Sequence, residues 1–187
     1  MPWKNGAGLT LEVARDPPAP AEFGWRLSLA TISASGAFSS YPGYRRSVSL
    51  IEGAGFRLNV EGEGRMQLAS SGESALFAGG SNASCELIDG PSTDLSLMVR
   101  EPGAISSANL ETCDIVRSFA APQGSLQAFF CLDDGLAFAL DDIVVPLGAQ
   151  DTILLLDRGT RCDFSTVRPG ARLMRLVWQS APATQER

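Results

Sequence analysis

The chain has 187 residues, 44% of them hydrophobic, with 15 Lys and Arg against 21 Asp and Glu for a formal charge of −6; that is enough to bury a full core, as one large domain or two fused sheet units. The negative balance opposes nucleic-acid binding, which needs clustered cations, and no apolar run approaches the roughly 20 residues of a membrane helix. Histidine is absent, which removes the commonest transition-metal ligand and the usual general base together, so neither a metal nor a cofactor nor a catalytic triad is expected.

Taken in chain order, the pattern is period two throughout, and no long segment holds apolar residues at helical spacing, so the class is all-β. The opening Met1-Pro2-Trp3-Lys4-Asn5-Gly6 lacks the apolar stretch of a signal peptide, and a cytoplasmic protein is expected. Pro17-Pro18-Ala19-Pro20 belongs to an exposed loop, because proline cannot donate to a ladder. Trp25-Arg26-Leu27-Ser28-Leu29 reads as a half-buried strand with Arg26 and Ser28 on its polar face. Phe56 to Val60, the turn Gly62-Glu63-Gly64 and Arg65 to Leu68 predict a hairpin. A second hairpin is expected where Gln127 to Leu132 and Leu136 to Leu140 flank Asp133-Asp134-Gly135. Further strands are expected at Ile143 to Leu147, Thr152 to Leu156 and Arg172 to Trp178. The run Pro102 to Pro122 reads as a seam between two sets of strands, although no internal repeat is evident. Cys85, Cys113, Cys131 and Cys162 are scattered without a C-x-x-C pair and are expected to be reduced core residues.

Three segments carry candidate chemistry. Pro2 to Thr10 gathers Trp3, the sole lysine Lys4, Asn5 and the glycines Gly6 and Gly8; glycine permits close backbone approach, and Lys4 and Asn5 could donate to an anion or carbonyl. An ordinary turn ahead of a strand accounts for the same residues. In Phe38 to Leu50, alternation places Arg46 on the face of Val48 and Leu50, and Arg45 on the opposite one. An inward Arg46 suits a carboxylate ligand bidentately, and equally an internal ion pair with an aspartate or glutamate. Arg26 faces the same choice with less support. In Asp89 to Arg100, Asp94, Ser96, Met98 and Arg100 share a face; Asp94 could pair with Arg46 or Arg100 and orient it, or tie the strand end to a loop, and the structural role is favoured.

With these segments in view, the chain resembles the HutD/Ves family of the cupin superfamily, through PWKNGAG at the start, W-R-L-S-x-A from Trp25, F-S-S-Y-P-G-Y-R-R from Phe38, F-A-G from Phe77 and D-L-S-L-M-V-R from Asp94. The resemblance covers the first hundred residues by motif and the remainder by strand rhythm. It implies a bicupin: two tandem cupin-like units of β-sandwich or jelly-roll type, expected at 1–105, carrying the ligand site, and 106–187. It also implies no established catalytic activity, and regulation of histidine utilisation through a small acidic metabolite such as formylglutamate as the only small-molecule partner, with a homodimer as one expected assembly. The family's arginine after the Pro-Gly turn falls on Arg46, and its Trp-Lys-Asn-Gly motif on Trp3, Lys4, Asn5 and Gly6. The pattern departs at Ala7, where a third glycine is usual, at Arg45, where an acid is usual, at Ser96, where an asparagine donor is usual, and at Glu101, where a base is usual. The ligand-binding set expected is therefore Arg46, Lys4, Asn5, Trp3, Ser96 and Arg26. The competing expectation is a metal-free cupin isomerase or lyase acting on a small carboxylate, with Lys4 as acid or base and Tyr41, Tyr44, Glu12 or Asp94 as its partner.

Overall fold

The computed structural model describes residues 8–18, 22–120, 122–156 and 161–180. All regular structure in them is β, and no helix is long and apolar enough to cross a membrane. The chain divides into two compact units, Met1–Ile105 with Ser180–Arg187, and Ser106–Gln179.

The first unit holds nine strands: β1 Gly8–Asp16, β2 Trp25–Ile32, β3 Gly36–Ala37, β4 Tyr44–Gly53, β5 Phe56–Val60, β6 Gly64–Leu68, β7 Ser74–Ala78, β8 Ala83–Leu87 and β9 Ser92–Arg100. They form a five-stranded sheet in the order β1-β2-β9-β4-β7 and a four-stranded sheet in the order β3-β8-β5-β6. The hairpin expected around Gly62-Glu63-Gly64 is β5–β6, with Phe56 opposite Leu68 and Val60 opposite Gly64. Gly62 and Gly64 supply the positive φ values (81° and 95°) that its tight turn requires. Side chains from both sheets meet in one core: Ile32, Val48, Leu50, Ala75 and Phe77 from the first, and Phe56, Leu58, Val60, Leu68, Ala83 and Cys85 from the second. That arrangement is a sheet-on-sheet sandwich.

The second unit repeats the two-sheet plan with β10 Ala104–Cys113, β11 Val116–Phe119, β12 Leu126–Cys131, β13 Leu136–Leu140, β14 Ile143–Leu147, β15 Thr152–Leu155, β16 Cys162–Thr166 and β17 Ala171–Gln179. The sheet orders are β10-β17-β12-β15 and β11-β16-β13-β14. Phenylalanines fill the space between these sheets: Phe164 lies 4.8 Å from Phe129, 5.4 Å from Phe138 and 5.8 Å from Phe119, centroid to centroid. Those spacings are the tilted and edge-on contacts aromatic rings favour.

Two expectations are corrected. The segments flanking Asp133-Asp134-Gly135 are not a hairpin: β12 pairs with β15 and β17, whereas β13 pairs with β14 and β16. Asp133 instead receives hydrogen bonds from the Nε (3.0 Å) and NH2 (3.0 Å) of Arg172, so the loop crosses from one sheet to the other anchored by a forked ion pair. The hairpin turn lies one connection later, where Asp141 takes a left-handed φ of 51° between β13 and β14. The run Pro102 to Pro122, read as a seam, does contain the division between the two units at Ile105/Ser106, but β10 and β11 occupy most of it.

Candidate functional site

Register across the five-stranded sheet of the first unit fixes what lines its interior. Arg15 of β1 stands opposite Arg26 of β2, Arg26 opposite Met98 of β9, Met98 opposite Arg46 of β4, and Arg46 opposite Phe77 of β7. Directly opposed residues share a face, and this is the face of Val48, Leu50 and Phe77, which lie in the core between the two sheets. Three arginines therefore form one row along the inner face of the sheet. Two residues further along, Ser28, Ser96, Val48 and Ala75 make the next row, followed by Ala30, Asp94 and Leu50.

The polar face of β2 is thus the interior face, a correction to its reading as the solvent side of a half-buried strand. Ser28 is 2% exposed, and Trp25 and Leu27 on the opposite face are buried as well, so β2 is covered on both sides. Arg45, on the other face of β4 opposite Val99 and Ala78, is half-buried and takes no part in the row.

Arg46 is 5% exposed. Its guanidinium lies over three rings, 5.2 Å from the centroid of Phe38, 5.2 Å from Phe77 and 5.7 Å from Tyr41, and its NH1 donates to the Ser39 carbonyl at 3.0 Å. Arg26 stacks 4.8 Å from Phe23 and 5.3 Å from the same Tyr41 ring, and its NH2 donates to the Tyr41 hydroxyl at 3.4 Å. Aromatic faces stabilise a guanidinium and hold it flat, yet leave its in-plane N–H groups to be satisfied elsewhere. Among the described residues the buried Nε of each arginine has no hydrogen-bond partner, and no carboxylate lies within ion-pair distance of either. Burial holds the Arg46 guanidinium down to about 10, an effect the Asp94 charge opposes.

Local sequence explains how this arrangement is built. Tyr41-Pro42-Gly43-Tyr44 is a turn closed by the Tyr44 N–H on the Tyr41 carbonyl (3.3 Å), with proline at its second position and Gly43 at φ 78° in its third, the pattern of a type II turn. Gly79 clamps that turn from β7: its N–H donates to the Tyr44 carbonyl (2.7 Å), and its own carbonyl accepts from the Tyr41 N–H (2.7 Å). A Cβ at position 79 would lie 2.7 Å from the Tyr41 carbonyl oxygen and 2.8 Å from that of Tyr44. Phe77-Ala78-Gly79 therefore supplies both a ring beneath Arg46 and the close approach that seats Tyr41.

Asp94 is 1% exposed, and neither carboxylate oxygen has a hydrogen-bond partner among the described residues. The favoured structural tie to a loop is therefore absent, and so is the alternative pairing, since Arg100 instead meets Glu22 at 2.8 Å and Arg46 reaches Asp94 only through space. Desolvation pushes the Asp94 carboxyl up to about 7 against the pull of Arg46. Ser96, two residues along the same strand, is 4% exposed with an unpartnered Oγ. The structure thus brings together Arg26, Arg46 and Ser96 of the expected set and adds Asp94, Met98 and the aromatic shelf. Period-two spacing of Asp94, Ser96 and Met98 was the signal for the polar track. The aromatic shelf had no signal, because its rings come from separate segments. Trp3, Lys4 and Asn5, with Gly6 and Ala7, lie outside the described residues. Of the acid–base candidates, the Tyr44 hydroxyl donates to the Phe23 carbonyl (2.9 Å), the Tyr41 hydroxyl faces Arg26, and Glu12 lies 3.8 Å from Arg15. No group of three or more cysteine, aspartate or glutamate side chains gathers around a metal position among the described residues.

The second unit offers a contrast. Arg175, opposite Phe129 on β17, lies 5.1 Å from the Phe119 centroid, but its Nε and NH2 donate to the Gln127 Oε1 (3.0 and 2.7 Å) and its NH2 also reaches the Ala120 carbonyl (2.6 Å). The Nε of that arginine is satisfied internally. Among the described residues, only the first unit has arginines with a buried, unpartnered Nε inside an aromatic-lined interior.

Two antiparallel sandwiches in tandem, one of them with a cationic interior, define a protein of the cupin class, and solved cupins agree: a cupin 2 conserved barrel domain protein from Leptotrichia buccalis superimposes with a TM-score of 0.58 at 10% identity over 93% of this chain and 89% of its own. The chain belongs to the HutD family, whose model matches residues 1–174. It is 33% identical to the solved HutD of Pseudomonas fluorescens SBW25 (formate condition), with a TM-score of 0.76 over 97% of this chain and 94% of that one. It is 31% identical to a conserved protein of Pseudomonas aeruginosa PAO1, with a TM-score of 0.85 over 96% and 93%. Among curated relatives, a 21.2 kDa protein in the hutC 3′ region of Pseudomonas putida is 43% identical over 99 residues, and protein Ves of Citrobacter koseri 39% identical over 100. Each match spans about half of either chain, 52% of this one and 52% and 51% of those relatives.

Proposed function

We propose that this chain is a non-enzymatic binding protein that holds a small acidic metabolite in the interior of its first unit and reports it to a regulatory system of histidine utilisation, with formylglutamate as the expected ligand. The observation that carries the reading is the row Arg26–Met98–Arg46. It presents two aromatic-stacked guanidiniums with buried, unpartnered Nε groups and no acidic residue within ion-pair distance. Buried polar groups left unsatisfied are rare and call for an explanation; a ligand carboxylate supplies one, because the guanidinium fork matches it bidentately. An internal ion pair, the competing account of Arg46, has no acidic partner to form it among the described residues. Lys4, Asn5 and Trp3 are the candidates for the remaining polar contacts, on the strength of the family motif.

Calorimetric titration with N-formyl-L-glutamate tests this. Arg46→Ala should weaken binding by roughly 2–5 kcal/mol, since truncating a charged hydrogen-bonded contact in a desolvated site costs about that much. Arg46→Lys should rescue only part, and Arg45→Ala should change little. Loss of unliganded stability in Arg46→Ala with affinity intact would show that the arginine is structural and end the proposal.

A further inference from the structure

We propose that Asp94 is a specificity-determining residue: it accepts a hydrogen bond from an N–H of the ligand while the ligand's carboxylate lies against Arg46 and Arg26, so that the site selects N-acyl amino acids over otherwise identical molecules lacking that donor. The assignment rests on the anion-binding reading above and adds the second end of the ligand.

The argument begins from what a structural aspartate does. Such a side chain accepts backbone N–H groups at a turn or meets a cation, as Glu73 does with the Ala69 and Ser70 amides (2.7 and 3.0 Å) and Asp133 does with Arg172. Asp94 does neither, although it is 1% exposed and both its oxygens are buried. It stands near the start of β9 between Ala30 and Leu50, beside a register shift at Leu50/Glu52, and no backbone amide of the described residues donates to it. A carboxylate in that position is costly when nothing pairs with it, and replacing it by an apolar side chain would remove the cost. Its presence on the inner face calls for a partner that is not found among the described residues.

The same face says where that partner reaches. Asp94, Ser96 and Met98 alternate along β9, with Arg26 and Arg46 flanking Met98. Four residues of strand separate the Asp94 row from the arginine row, roughly 13 Å between backbones, which the long arginine side chains shorten; Arg46 is close enough for its charge to act on Asp94. Ser96, whose Oγ is also unpartnered, lies between them. The interior thus offers donors at one end and an acceptor at the other, a polarity matched by a ligand with a carboxylate and an amide N–H a few bonds apart. An N–H placed at the Asp94 end gains a charge-assisted hydrogen bond wherever that carboxyl is ionised.

The test compares N-formyl-L-glutamate with (S)-2-formyloxyglutarate, in which oxygen replaces the N–H and little else changes, by calorimetry on the wild type and on Asp94→Leu. The wild type should bind the amide about 10–100-fold more tightly than the ester, the range expected for one hydrogen bond to a charged acceptor. Asp94→Leu should bring the two to within about threefold by weakening only the amide. Asp94→Asn, which keeps the shape without the charge, serves if leucine does not fold, and should reduce the preference at least about threefold. Equal binding of amide and ester by the wild type, or equal weakening of both by the variants, would overturn the role of Asp94 and leave the anion site standing. Failure of the wild type to bind either molecule would overturn the anion site itself.

Discussion

Replacing Asp94 by asparagine should remove a pH dependence that the wild type carries in its interior. Burial raises the Asp94 carboxyl to about 7 from an ordinary value of 3.8. The folded state therefore holds a proton that the unfolded chain releases, and stability falls as pH rises between those two values; below 3.8 the group costs nothing, and above about 7 the cost is constant. A gap of about three pH units at roughly 1.4 kcal/mol each sets the full cost near 4 kcal/mol. Integrating the two titration curves gives a cost of about 2 kcal/mol at pH 5 and about 4 kcal/mol at pH 8. Asparagine does not titrate, so Asp94→Asn should gain roughly 2–3 kcal/mol on the wild type across that interval, whatever fixed offset its amide introduces. Urea unfolding of both proteins at half-unit steps from pH 5 to pH 8 measures the difference, and every other titrating group cancels in it. A difference that stays constant with pH, or that moves against the asparagine variant as pH rises, would refute the buried and unpartnered carboxyl.

Cys85, Cys113, Cys131 and Cys162 are all buried, and burial pushes their thiols up, to about 12 for Cys85 and Cys131 and about 11 for Cys162. None should react with a disulfide reagent in the folded protein at pH 8, and all should react in denaturant; a fast-reacting thiol in the native protein would contradict their placement. Gly79→Ala should destabilise the first unit by roughly 1–3 kcal/mol, because the new methyl meets the carbonyl oxygens of Tyr41 and Tyr44, and it should weaken carboxylate binding by displacing Tyr41 from both arginines. Thermal unfolding and titration on the same sample check the pair, and unchanged values in both would show that the turn does not depend on that close approach.

Alternation along single strands was enough to place Arg46 inside and Arg45 on the opposite face, and to find the β5–β6 hairpin, because each of those facts is decided within one or two neighbouring segments. Arg26 was misjudged for a related reason. A strand buried on one face and a strand buried on both can show the same alternation, and only the partner sheet tells them apart. The supposed hairpin at Asp133-Asp134-Gly135 failed because Asp-Gly marks a turn without saying which strands it joins, and here the turn links two sheets. Phe23, the Phe38–Tyr41 stretch and Phe77 come from three separate segments and converge on two guanidiniums, a long-range fact that local periodicity does not contain.

The two units show what the polar interior costs and why it is informative. Both are built from paired antiparallel sheets, and each carries an arginine on the inner face beside aromatic rings. In the second unit Gln127 Oε1 and the Ala120 carbonyl accept from Arg175, although the Gln127 Nε2 is itself buried without a partner among the described residues, and Phe119, Phe129, Phe138 and Phe164 pack beside them, which buries apolar area in the core. The first unit could have been completed in the same way, with a glutamine beside Arg46 and a leucine at position 94. Instead it keeps the Asp94 carboxyl and two guanidinium Nε groups without hydrogen-bond partners among the described residues, and only the charge of Arg46 reaches Asp94. Charges held out of water are stable only when a partner completes their hydrogen bonds, which is why the proposed ligand is placed in the first unit.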